Sequence, residues 1–255
     1  MGKFKSLKKP LLSQGVELAI KNAILEETYK AGEKLPSERE LAGQFQVSRV
    51  TVREAFRNLQ SSGLITVKRG IHAGAYVSEP NPDSITENFQ NLIRLGHIDY
   101  SHLIDARLYI EPRASEIAAK YRDVEDLQRL VRLLDTAEAL AAKSLKRARL
   151  INVSFHLEVA RITCNPIIVF ITESITQSYS ALIIEKTQTQ LTGQHLQEFI
   201  GEHRDILDSI SKKSPAEAYE KTRRHLLKTY ITYSKVFPEA HETGIDRRIR
   251  QDYNL

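Results

Sequence analysis

Only one cysteine, Cys164, occurs among the 255 residues, so an intrachain disulfide is excluded and a reducing compartment is expected. No apolar run approaches the roughly 20 residues that a membrane-spanning helix needs, so no membrane partner is expected. The N-terminal stretch MGKFKSLKKP is basic but lacks the apolar core of a secretory signal. A cytoplasmic location is the resulting expectation. From Asp83 to Phe237 no stretch alternates as a β-strand, and no internal repeat is evident. What remains is ordinary globular composition, 41% hydrophobic and 27% charged, over a length sufficient for one or two domains.

Charge is modest in total and uneven in distribution. The net charge is +5. Residues 1–80 hold 13 Lys and Arg against 8 Asp and Glu, whereas the remainder holds 24 of each sign. The whole excess lies on the N-terminal third, which suits phosphate binding. Charge clustering alone is also what a solvated face looks like, so the pattern within that third decides.

That pattern is LPSERELAGQFQVSRVTVREAFRNLQSSGLI, Leu35 to Ile65. Ser37 stands three residues before Glu40 and ahead of an apolar run, the signature of a capping box. Leu41, Ala42 and Phe45 form the apolar face of a first short helix, and Gln46-Val47 makes a turn. Ser48 is the next N-cap candidate. A second helix follows with Val50, Val52, Ala55, Phe56 and Leu59 on its apolar side and Arg49, Thr51, Arg53 and Arg57 near or on the other. Ser61-Ser62-Gly63 stops it, with Gly63 suited to a left-handed C-terminal position. Two short helices on a tight turn, the second opening with cationic and hydroxyl side chains, are what a helix-turn-helix reader of DNA requires.

The surroundings fit a small domain. Leu11 to Tyr29 has helical periodicity and should close a three-helix core, behind a disordered basic arm at residues 1–9. After Gly63, Leu64 to Val67 and Ala75 to Val77 read as two strands around a glycine-containing turn, Lys68 to Gly74. Glu79-Pro80-Asn81-Pro82 reads as a linker. Helices are expected near 84–95, 100–120, 123–142, 145–163, 166–188, 192–212 and 215–236. The expected fold is therefore mainly α. A winged helix-turn-helix spans residues 1–80, an all-α antiparallel bundle spans 81–238, and 239–255 forms a charged, loosely ordered tail.

Within the bundle, several polar residues fall on apolar stripes. Arg107 lies beside Ile104, Leu108 and Glu111. Asn152 and His156 are four apart on one helix face. His203 shares a stripe with Ile200, Leu207 and Ile210, and His225 shares one with Ala218, Thr222 and Thr229. A single histidine in such a place is more often a hydrogen-bonded core residue than a ligand, and Arg107 alone reads as a buried partner of Glu111. Three imidazoles and an amide from three helices can, however, converge in a bundle centre, where metal sites are built. His97, His102, His195 and His241 sit near helix ends or in loops and carry only the bland reading.

The segment LPSERELA followed by VSRVTVREAFRNLQSSGLI resembles the winged-helix domain of the GntR family of bacterial transcription regulators. The resemblance implies DNA contacts from Arg39, Ser48, Arg49, Thr51 and Arg53, with Arg69 and Gly70 added by the wing. The wing tip, RGIHAGAYV, is a residue or so longer than the family's usual pattern. DARLYIEPRASEIAA, NVSFHLEVARITCNPII, GEHRDILDSI and RRHL are similar to the FCD ligand-binding domain of the FadR branch. That likeness implies a divalent metal, often zinc or nickel, held by His156, His203, His225 and the residue at Asn152, where the family has aspartate. It also implies that Arg107 pairs with an effector carboxylate, with Asn152 beside it. A branch that binds acyl-CoA lacks these histidines.

The expected protein is thus a regulator, a repressor, that binds a palindromic duplex operator as a homodimer on the bacterial nucleoid and answers to a small carboxylic acid. Two other readings stand beside it. A metal-dependent hydrolase with an accessory DNA-binding domain would need a base such as Glu111 or Glu158. A purely structural metal would be needed for folding alone.

Overall fold

The computed structural model describes residues 12–79, 83–186, 192–234 and 244–254. The expected basic arm and the linker residues Pro80, Asn81 and Pro82 lie outside them. The chain divides into two compact units, residues 1–84 and 85–255.

The first unit holds α1 (Leu12–Leu25), α2 (Glu38–Phe45), α3 (Arg49–Ser61), β1 (Ile65–Lys68) and β2 (Gly74–Val77). The capping box forms at the start of α2: Ser37 Oγ accepts from Glu40 N at 3.3 Å, and Ser37 N donates to Glu40 Oε2 at 2.7 Å. Two of the four orphan donors of that helix are satisfied by this exchange. Gln46 takes a left-handed conformation at the end of α2, φ 53°, which turns the chain sharply into Ser48. Ser48 Oγ then accepts from Thr51 N at 3.1 Å and caps α3. Gly63 follows α3 at φ +76°, where a side chain would be strained.

Val16 and Ile20 of α1, Leu41 of α2 and Val52, Ala55, Phe56 and Leu59 of α3 close one core with Ile65 and Val77 of the hairpin. Val50 differs from the expected apolar stripe. It is 70% exposed, because it stands two residues before Val52 and so faces away from the 52, 55, 56, 59 row. The hairpin is antiparallel, with Ile65 opposite Val77 and Lys68 opposite Gly74. Its loop contains a short 3₁₀ turn, Gly70–His72. Gly74 stands at φ +149°, where a side chain would be strained; the Lys34 Cε that a Cβ would meet at 2.5 Å is the movable end of a flexible chain, so the backbone angle is what favours glycine.

The second unit is helical throughout its described residues: α4 (Asp83–Arg94), α5 (Tyr100–Tyr121), α6 (Val124–Ala141), α7 (Leu145–Arg161), α8 (Pro166–Lys186), α9 (Gly193–Ser211), α10 (Pro215–Ser234) and α11 (Gly244–Tyr253). None of the described helices is long and apolar enough to cross a membrane. Each expected helix is present, with ends moved by at most two residues. His102 and His195 serve as third-residue partners in the capping boxes of α5 and α9, opposite Asp99 and Thr192. One core combines Ala114, Leu130, Leu134, Phe155, Val159 and Ile206. Another gathers Tyr100, Leu103, Ile175, Tyr179, Leu226, Tyr230 and Tyr233.

The C-terminal segment corrects the expectation of a loose charged tail. Residues 244–253 form α11, with Ile249 buried against α5 and its neighbours. Ile245, Ile249 and Tyr253 mark its apolar side, one residue per turn among charged neighbours and too thin a stripe to stand out by periodicity. A buried carboxylate does the rest. Asp246 accepts from the Tyr230 hydroxyl and from Arg250 Nε, the latter at 3.0 Å, while Arg248 pairs with Asp105. Replacing Asp246 by Ala should therefore destabilise the helical unit by about 1–3 kcal/mol, since the Tyr230 hydroxyl loses its acceptor. A shifted denaturation midpoint checks this, and an unshifted one would mean that α11 does not hold to the bundle.

Candidate functional site

Two groups of residues carry chemistry, one in each unit. In the first, α3 presents its first turns to solvent. Arg39, Ser48, Arg49, Arg53, Arg69 and Gly70 are exposed, and Thr51 is half-buried. Ser48 and Thr51 are engaged with each other, their hydroxyls 2.8 Å apart. Arg53 is not extended freely. Its Nε and Nη2 donate to the carboxylate of Glu38, at the start of α2, with distances from 2.8 to 3.2 Å. The exposed N-terminal end of a cationic helix beside a hairpin wing is the geometry that places donors against base edges and phosphates.

In the second unit, α7 brings Asn152 and His156, α9 brings His203 and α10 brings His225 to one buried point. The three imidazoles converge through the same atom. Nε2 of His203 lies 3.0 Å from Nε2 of His156 and 3.1 Å from Nε2 of His225. Each Nδ1, in turn, faces an oxygen. His156 Nδ1 is 2.8 Å from Glu111 Oε2, His203 Nδ1 is 2.8 Å from Asn152 Oδ1, and His225 Nδ1 is 2.7 Å from Glu202 Oε2. An oxygen acceptor at each Nδ1 fixes the proton there. Three Nε2 lone pairs are then left facing one another with no hydrogen between them. A cation is the partner that arrangement lacks. Metal–nitrogen bonds of roughly 2.0–2.1 Å put tetrahedral ligands about 3.4 Å apart, so the two separations from His203 need open only by tenths of an ångström. The donor set therefore fits a divalent ion such as zinc or nickel.

Electrostatics favour neutral rings at His156 and His203. Burial pushes the His156 pKa down to about 4, Glu111 opposing it only in part. Burial also pushes His203 well below the usual histidine value, with its two histidine neighbours acting in the same direction. Burial alone would raise Glu111, but Arg107 and His156, by charge and hydrogen bond together, outweigh it and hold it at about 2. Glu111 is therefore ionised. Its Oε1 accepts from Arg107 Nε at 2.7 Å and its Oε2 from Arg107 Nη2 at 3.2 Å. One carboxylate thus holds both the arginine and the first histidine.

Arg107, 2% exposed, lies with its Cζ 4.4 Å from the centre of the Tyr179 ring and lines the cavity that also reaches the three histidines. The cavity is tight: it leaves about 30 Å³ for the centres of water molecules, room for one or two of them, so a bound acid would have to move its walls apart. Arg149, Thr229 and Tyr233 add polar wall, and Val153, Leu196 and Phe199 add apolar wall. The hydroxyl of Tyr179 is buried and makes no hydrogen bond of normal geometry. Burial keeps it protonated, its pKa pushed up to about 12. It is a donor held beside Arg107 at the cavity wall.

All four residues expected at the metal come together, but in two layers. The contact that Asn152 makes is to Nδ1 of His203, the atom across the ring from the converging Nε2. Its place is that of an orienting acceptor. Glu158, one of two candidate bases, is bound to Arg161 and lies 3.8 Å from Arg129, and it does not line the cavity. Glu202 and Tyr179 were not foreseen. Glu202 neighbours His203 in sequence yet serves His225, a pairing between helices that no spacing along the chain encodes.

Known proteins match both units of the chain. Residues 12–77 match the model of bacterial regulatory proteins of the gntR family, and residues 102–228 match that of the FCD domain. The HTH-type transcriptional repressor NanR of Cronobacter sakazakii is 31% identical over 225 residues, 87% of this chain and 85% of that protein. The Uxu operon regulator of Haemophilus influenzae is 32% identical over 209 residues, 81% of this chain and 76% of that one. The solved structure of Streptococcus agalactiae GntR superposes with a TM-score of 0.62 at 26% identity, covering 85% of this chain and 98% of that one. These relatives are named as regulators, which sets the hydrolase reading aside. A winged helix-turn-helix followed by an FCD domain, matched along most of its length by such proteins, makes this chain a member of the GntR family of transcription regulators.

Proposed function

We propose that the protein is a repressor that binds a palindromic operator as a homodimer in the bacterial cytoplasm, at the nucleoid, and that a small carboxylic acid bound in the helical cavity controls it. The observation that carries this reading is the shared cavity. Arg107 and three histidine lone pairs face one buried space, joined beneath it by Glu111. A divalent ion held by His156, His203 and His225 would supply positive charge and an open position for a carboxylate oxygen. Asn152, being neutral, orients His203 without adding charge, and Glu111 and Glu202 fix the other two rings. Arg107 offers the planar guanidinium suited to a carboxylate, and Tyr179 offers a hydroxyl donor next to it.

In the first unit, α3 enters the major groove. Arg49 and Arg53 read guanines, Ser48 and Thr51 meet the backbone or bases near them, Arg39 contacts phosphate, and Arg69 with Gly70 brings the wing to the adjacent groove. Two copies on a two-fold axis read two half-sites. An acid that binds better to one disposition of the reading heads shifts their population and so operator affinity. The name of the NanR relative, a repressor, supports the sign given to the DNA-bound state.

Three outcomes test this. Arg49→Ala should cost about 1–3 kcal/mol in operator binding with an unchanged circular dichroism spectrum; full affinity in the variant would remove α3 from the groove. His203→Ala should lose most bound metal as measured by elemental analysis, since it sits between the other two rings, and full stoichiometry would take it out of the ligand set. Arg107→Ala should shift the dose response to an effector acid by at least about tenfold, equivalent to the 1.5–3 kcal/mol of a charged hydrogen bond, while operator binding without acid is retained. An unmoved dose response contradicts the role of Arg107.

A further inference from the structure

The DNA-reading face contains an acid where a polyanion is expected. Glu38 is the first residue of α2, fixed by the Ser37 capping box, and its carboxylate lies under the first two turns of α3. Arg53 grips it through Nε at 3.1 and 3.2 Å and through Nη2 at 2.8 Å. Arg49 Nη2 lies 4.0 Å away. The side chains of Arg53 and Glu38 are 49% and 26% exposed. A pair so exposed contributes little to stability, so it is not explained as a fold-holding contact. The Arg53 hydrogen bond lowers the pKa of the carboxylate most, and the charges of Arg53, Arg49 and Arg57 act in the same direction.

The geometry of the grip has a consequence for reading. A guanidinium has two usable edges, one of Nε with one Nη and one of the two Nη atoms. Glu38 occupies the first. The second, the end-on fork that suits guanine O6 and N7, is left pointing along the side chain axis. An unrestrained arginine would close on any phosphate, because phosphate contact is independent of sequence. One held by its side edge, with its charge already matched, gains less from a phosphate and keeps its fork for a base.

We infer that Glu38 is a specificity-determining residue: it holds Arg53 for end-on contact with a guanine and suppresses its binding to phosphate on unspecific DNA. The inference rests on the assignment of α3 as the recognition helix. Glu38 acts through Arg53 and is in that sense a positioning residue.

The test uses the full-length protein and two duplexes, one enriched by the wild-type protein from a random-sequence pool and one of the same composition with its order scrambled. Affinity for each is measured over a series of salt concentrations. Glu38→Gln keeps the size of the side chain and removes its charge. The ratio of affinities, enriched over scrambled, should fall about tenfold, within the span of one bidentate base contact. Part of that fall should come from tighter binding to the scrambled duplex, whose salt slope should steepen by about one per reading head as Arg53 turns to phosphate. Arg53→Lys provides a second route, keeping the charge but not the fork, and should lower the ratio similarly. A ratio unchanged in Glu38→Gln but lowered in Arg53→Ala overturns the inference alone. A ratio unchanged in Arg53→Ala as well overturns the assignment of Arg53 on α3, and the inference with it. Equal weakening on both duplexes with an unaltered salt slope would make Glu38 merely structural and likewise overturns it.

Discussion

A single buried carboxylate organises the helical unit. Glu111 is ionised in the interior, its two oxygens shared between Arg107 and His156. Burying such a pair is costly, and replacing it with apolar side chains of similar size is often neutral or stabilising by about 1–4 kcal/mol. The pair is therefore poorly explained by stability. Its effect is geometric. It sets the tautomer of His156, turns that ring's Nε2 toward those of His203 and His225, and holds Arg107 at the wall of the same cavity. Arg107 and His156 together outweigh the burial of Glu111 and keep it ionised, so neither end of the arrangement can be altered without disturbing the other.

The other two rings follow the same rule with different partners. His225 is fixed by Glu202, which Lys228 also contacts at 2.5 Å. His203 is fixed by Asn152, a neutral acceptor. Two carboxylates and one amide behind three imidazoles raise the basicity of two ligands more than that of the third. Asn152 thus adds no charge at the site while still facing Nδ1 of His203. The first unit holds a comparable arrangement, a carboxylate gripping one edge of an arginine, on an exposed face rather than in a core.

Much of this was legible in the chain, for a physical reason. Caps, turns and amphipathic stripes are local, so the capping box at Ser37, the cap at Ser48, the glycine after α3 and the inward faces carrying His156, His203 and His225 can be read from neighbours in sequence. Arg107 and Glu111, four apart on one helix, were readable as a pair for the same reason. What was not legible is contact between elements. Glu202 on His225, Tyr179 under Arg107 and Glu38 on Arg53 each join two helices whose mutual placement no spacing encodes. The last helix escaped because Ile245, Ile249, Tyr253 and a buried Asp246 hold it, where periodicity seeks a wider apolar stripe.

The central claim is that three histidine Nε2 atoms in the helical cavity form a cation site shared with Arg107. X-ray absorption on zinc- or nickel-reconstituted protein addresses it most directly, because imidazole ligands leave a distinct multiple-scattering pattern. The account predicts a metal held by nitrogen at roughly 2.0–2.1 Å with scattering from three imidazole rings. An ion bound mainly by carboxylate or water oxygen, or no ion retained after dialysis, would contradict it.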